Sequence, residues 1–208
     1  NRFRSADGRR AVETLALLAR MDVAQARMAV AVRLPGASDE TQFELLEAIH
    51  TIPSLLDERM RAALLRLAAK GGALRLRILE SFSVHPDAEV RATVLEWLKS
   101  PELDEWDVKT VETALRLVLT SGDAAPILSL VTDILDRKSL FGRKQLLDLK
   151  LAAVAALGAS DAPDVLALLQ RHAEGKDKDI GRACKEVLER IAFERSRGLR
   201  PSQLGGEA

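Results

Sequence analysis

The stretch that decides the fold is Phe141–Ile191, FGRKQLLDLKLAAVAALGASDAPDVLALLQRHAEGKDKDIGRACKEVLERI. An alanine- and leucine-rich helix closes on Gly158. A turn follows, and a second helix spans Asp164–Ala173. A charged loop leads into a third helix, where Ile180, Ala183, Cys184, Val187, Leu188, Ile191 and Ala192 form an apolar seam at 3-4-3-4 spacing. Helix, tight turn, helix, loop, helix is the pattern of a stacked helical array. The apolar residues of Leu149–Leu157 fall on more than one face, which predicts neighbours on both sides.

Upstream, the same pattern continues. Val12, Leu15, Ala16 and Ala19 share a face of a helix over Arg9–Arg20. Asp22 caps Val23–Arg33, which stops before Pro35 and Gly36. Ser38 and Asp39 open a helix over Gln42–Thr51, with Phe43, Leu45, Leu46 and Ile49 apolar. Ser54, with Asp57 three residues on, resembles a capping box for Leu55–Lys70. Gly71-Gly72 ends that helix, one glycine in the left-handed conformation. Ala73–Val84 alternates apolar and basic residues at its start but reads as helix beside its neighbours. Asp87 opens Ala88–Lys99, Pro101–Asp107 reads as a loop, and Asp107 caps Val108–Thr120, whose stripe is Val108, Val111, Leu115 and Val118. Ser121-Gly122-Asp123 turns the chain into Pro126–Lys138, and Ser139–Gly142 forms a loop.

Five segments repeat the pattern of a polar or glycine start, a small-and-leucine helix and a turn: Gln42–Ile52, Ala73–Val84, Lys109–Thr120, Leu149–Gly158 and Arg182–Ile191. Their starts are roughly 31 to 40 residues apart, as in two-helix repeats. The expected architecture is all-α, about eleven helices in five pairs plus an N-terminal cap helix. It comprises a lead-in over residues 1–8, a repeat domain over 9–195 and a disordered tail over 196–208.

LKLAAVAALGASDAPDVLALLQ and DKDIGRACKEVLERI resemble HEAT repeats. Asp179, Ile180 and Arg182 look like the family's acidic-apolar-arginine entry into a second helix, and DAEVRATVL at Asp87–Leu95 is similar although it falls in a first helix. The resemblance implies a right-handed α-α superhelix, a HEAT-like solenoid of the armadillo-like kind, with second helices on a concave side that binds proteins.

Composition narrows the function. The 208 residues carry 31 basic and 31 acidic side chains, so the net charge is zero and no general phosphate-binding excess exists. Aromatics are 3% with no Tyr, which leaves a core of Leu, Ala, Val and Ile. No apolar run is long enough for a membrane span. The single Cys184 excludes an intrachain disulfide; it reads as a buried packing residue and fits a reducing compartment. The expected location is the cytoplasm. The Arg-over-Lys, Ala/Leu-rich usage suggests a bacterial source, and the start at Asn1 suggests a domain of a larger protein.

Candidate chemistry is sparse. His50, His85 and His172 lie in different repeats without a second ligand at helical spacing, and the His-Glu pairs of di-iron HEAT enzymes are absent from the sequence. Glycine-rich phosphate loops and a GxSxG elbow are absent too. No catalytic residue, metal or cofactor is expected.

Basic side chains recur on the second helices: Arg75, Arg77, Lys109, Arg116, Lys150, Arg182 and Lys185. On a concave face they would form a strip for an acidic peptide or nucleic acid. Glu47, Glu112, Asp148 and Glu186 dilute it, as on an ordinary solvated face. Trp97 reads as part of a buried stripe. Trp106 reads as a staple on Val111, or else as an exposed hot spot. Trp97, Trp106, Asp104 and Asp107 supply the residue types of a HEAT-like alkylpurine glycosylase. Their acidic setting would repel a phosphate backbone. The leading expectation is therefore a non-catalytic scaffold for a protein or peptide partner. A nucleic-acid-binding domain and an oligomerisation spacer are the alternatives.

Overall fold

In a computed structural model, residues 6–84, 87–120, 125–138 and 143–198 are described. Among them are eleven α-helices and three short 3-10 turns, and no strand. The expected turn Ser121–Asp123, the loop Ser139–Gly142, His85 and residues 199–208 lie outside the described residues. The chain divides into two compact units, Asn1–His85 and Pro86–Ala208.

The first unit holds α1 (Ala6–Met21), α2 (Val23–Arg33), α3 (Asp39–Thr51), α4 (Glu58–Ala68) and α5 (Gly72–Val84). The expected lead-in thus overlaps α1. Helix α1 packs on α2 and α3, α3 on α5, α2 on α4, and α4 on α5. The expected cap helix is therefore an integral wall, since both following helices lean on it. The caps form because Ser and Asp side chains accept from backbone N–H groups that lack an intrahelical acceptor. Asp22 accepts from the Ala24 and Gln25 amides, and Ser38 accepts from that of Thr41. The cap of α4 is Asp57, which accepts from the Met60 amide at 2.8 Å, and not Ser54. Ser54 instead sits in a 3-10 turn, Pro53–Leu55. Both Gly71 and Gly72 take positive φ, 83° and 72°, so the break between α4 and α5 needs two residues without a Cβ penalty. On α5, Arg75, Ile78, Leu79 and Phe82 are buried one turn apart. That stripe settles the alternating ALRLRI segment as helix.

The second unit holds α6 (Ala88–Leu98), α7 (Val108–Thr120), α8 (Ala125–Asp136), α9 (Arg143–Leu157), α10 (Pro163–Ala173) and α11 (Lys178–Ser196). Consecutive helices pair as α6 on α7, α8 on α9, and α10 on α11. Alternate helices pack in a row, α7 on α9 and α9 on α11. Helix α9 touches neighbours on both sides, as its two-faced apolar pattern predicts, and buries Leu149, Ala152, Ala153, Val154, Ala156 and Leu157. Small residues let helices approach: a Cβ on the buried Gly181 of α11 would lie 3.2 Å from the Ala173 carbonyl oxygen at the end of α10. The segment expected as a loop, Pro101–Glu105, is a 3-10 turn capped by Ser100, with Leu103 buried.

Both cores are aliphatic. Phe82 is the one aromatic among the largest fully buried side chains of the described residues; the rest are Leu and Ile. That is the packing consequence of a chain with few aromatics.

Candidate partner-binding surfaces

Within the first unit, α1, the last turn of α2, the following turn and the start of α3 enclose an open groove of about 940 Å³. Its floor includes Leu15, Leu18, Val30 and Leu45. Arg10 from α1 and Arg33 from the last turn of α2 line it, and among the described residues no carboxylate does. The groove exists because α2 ends at Leu34–Gly36, a 3-10 turn whose proline cannot donate to the preceding helix. The chain then re-enters at the Ser38 cap with a gap above Leu45. Large apolar side chains stand exposed on the same two helices: Leu17 and Met21 one turn apart on α1, Met28 and Val32 one turn apart on α2. Met21 is 85% exposed.

The residues proposed from the sequence as a basic strip have different surroundings. Arg75 is buried, and the structure takes it off the surface. Its Nε donates to the Ala68 carbonyl at 2.9 Å and its Nη2 to the Ala69 carbonyl at 3.1 Å. It thereby satisfies the orphan carbonyls at the end of α4. Arg77 is half-buried, donates to the Asp39 carbonyl and lies over the Phe43 ring, 5.9 Å from its centre. Phe43, one of the apolar residues of its helix, is thus an exposed partner for a cation.

In the second unit, Arg116 pairs with Glu112 at 2.6 Å and Arg182 with Asp179 at 2.7 Å. Lys109 and Lys185 are exposed, and Lys150 is half-buried. Val108 is 42% exposed and so drops out of the α7 stripe, which runs through Val111, Ala114, Leu115 and Val118. Trp97 is half-buried, contrary to its expected place in the core. The interior stripe of α6 runs Val90, Val94, Leu98 and passes one residue beyond it. Trp106 is also half-buried, just before Asp107, which accepts from the Thr110 amide at 2.9 Å and caps α7.

Two side chains hold their protons abnormally. Cys184 is fully buried, and burial pushes its thiol up to about 11. That makes it a poor nucleophile, as its seam position predicts. His172 is lowered below its ordinary value, first by burial, with Arg171 and Lys150 adding to the effect and Asp136 opposing it. Its Nε2 is buried without a hydrogen-bond partner. Among the described residues no cluster of His, Cys, Asp and Glu could hold a metal ion, and no helix is long and apolar enough to cross a membrane. The side chain of His50 lies outside the described set.

The chain matches no protein-family model, no curated protein and no solved structure.

The groove was missed in the sequence because its walls come from three helices and a turn. A signal existed. Helix α1 carries Leu15, Leu17, Leu18 and Met21, and α2 carries Met28, Val30 and Val32, more apolar directions than one buried stripe needs.

Proposed function

We propose that the chain is a non-catalytic helical-repeat scaffold, HEAT-like in construction, that binds a protein or peptide partner. The observation that carries this reading is the open groove of the first unit, together with the exposed apolar pairs on α1 and α2. Val32 lines the groove and the other three stand on the helices that form it; exposed apolar side chains beside a concavity mark a surface that another molecule covers. The pairing of consecutive helices and the rows of alternate helices inside each unit support the repeat construction. The two side chains with displaced proton affinity, Cys184 and His172, are displaced chiefly by burial, as packing residues are.

Affinity capture followed by calorimetry with each purified candidate tests the reading. The expected result is a saturable complex with at least one purified protein, and hydrogen exchange in that complex slowing on α1 and α2. Captured proteins that all fail to bind once purified would remove the scaffold reading.

A further inference from the structure

We propose that the groove of the Asn1–His85 unit seats a short peptide segment whose apolar side chains are flanked by carboxylates; this rests on the scaffold reading and names the chemistry of its partner. The floor is apolar, formed by Leu18, Val30 and Leu45. Among the described residues, the only charged side chains lining it are Arg10 and Arg33, both exposed. Among the described residues neither makes an ion pair or a side-chain hydrogen bond, whereas Arg27, on the same helix as Arg33, pairs with Asp57 at 2.8 Å and donates to the Ser54 carbonyl. The chain as a whole is electrically neutral, so two unpaired guanidiniums facing one apolar floor are a local imbalance. Ser38 lines the same groove at the amino end of α3, and the carboxylates of that first turn, Asp39 and Glu40, are not among the lining residues described.

These features select among occupants. Guanidinium forks match carboxylates bidentately. A free phosphate or other small anion would use the arginines and leave the apolar floor in water. A nucleic acid would need phosphate contacts along a longer basic track than two arginines provide. A lysine-rich peptide would fill the floor but face like charge. At about 940 Å³ the groove is at the upper end of the range for compact ligands, which suits a few residues of extended or helical peptide.

The test uses the full chain and two fluorescein-labelled synthetic peptides with identical leucine positions, one with glutamate and the other with lysine between them. By fluorescence anisotropy the glutamate peptide should bind roughly tenfold more tightly than the lysine peptide. Charge reversal at both arginines, Arg10→Glu with Arg33→Glu, should invert that preference. Both side chains are exposed, so the circular dichroism of the double variant should be unchanged, and Arg182→Glu in the other unit should leave binding as it was. Equal affinity for the two peptides, no binding of either, or glutamate-peptide binding indifferent to the double reversal would each overturn the proposal. So would light scattering showing a dimer that the double reversal dissociates, because a second copy would then occupy the groove. Each of these outcomes removes the groove proposal alone. The scaffold reading is decided separately, by calorimetry with purified partners.

Discussion

The two units use similar residues to different ends. In Pro86–Ala208 the row α7, α9, α11 buries most of its leucines, valines and alanines, and only Val108 and Phe193 are exposed large apolar side chains among the described residues. In Asn1–His85 five such side chains are exposed among the described residues: Leu17, Met21, Met28, Val32 and Phe43. The first unit also buries a carboxylate, Glu44, without a hydrogen-bond partner for either oxygen. The contrast shows that helical periodicity alone does not say which apolar side chains are core. A helix with packed neighbours on both sides, such as α9, leaves none of its large apolar side chains exposed. A helix such as α1, packed chiefly on α2 and α3, has apolar directions left for another molecule.

The largest expected effect tests that division directly. Leu115→Ala, at a fully buried site on α7, should cost about 3 kcal/mol through lost transfer energy and a residual cavity. Leu17→Ala on the exposed face of α1 should stay within about 0.5 kcal/mol. Urea titration reads both. Trp97 and Trp106 lie in the second unit, so their fluorescence follows that unit alone, while circular dichroism follows both. A cost at Leu17 comparable to that at Leu115 would mean that its side chain is buried in solution and would dissolve the comparison.

The next effect compares two buried charges inside the first unit. Arg75 caps the end of α4 with two hydrogen bonds; Glu44 caps nothing. Arg75→Met should destabilise by about 2 kcal/mol, because the carbonyls of Ala68 and Ala69 lose charge-assisted bonds. Glu44→Met, similar in volume, should stabilise by about 1 kcal/mol, because it removes an uncompensated buried polar group. Thermal unfolding by circular dichroism separates the signs. A destabilised Glu44→Met would show that the carboxylate has a partner in solution.

How much of this was legible depended on the range of the interaction. The caps at Asp22, Ser38 and Asp107 are local, since a short polar side chain next to a helical run reaches an amide two or three residues on, and they were readable from the sequence. So were the double-glycine break, the all-α class and the burial of Cys184. Arg75 was not. In ALRLRI it looks like one of two solvated cations, yet it lies on the stripe with Ile78, Leu79 and Phe82, and its acceptors are carbonyls on the far side of the Gly71–Gly72 break. Trp97 fell on the wrong side for a related reason: its helix turns the Val90–Val94–Leu98 line inward, a choice made by the neighbouring helix. The groove depends on how α1, α2 and α3 stand together, which no single helical pattern encodes.

The smallest effect concerns the sealed interior of the second unit. The Cys184 thiol is raised from about 9 to about 11 by burial, so the folded chain holds that proton more tightly than the unfolded chain does. Well below pH 9 neither state ionises appreciably and Cys184 adds no pH dependence. Between pH 9 and 11 the unfolded thiol ionises while the folded one resists, and stability falls. At pH 10 the loss should be about 1 kcal/mol, read as the difference between the pH profiles of the parent and Cys184→Ala. Identical profiles would show that the thiol is accessible to water. A thiol reagent sharpens the contrast between the units: at pH 8 it should modify Cys184 only on the timescale of unfolding. A cysteine introduced by Met21→Cys into the Cys184→Ala chain should react at the rate of a free thiol, because α1 presents that position to solvent.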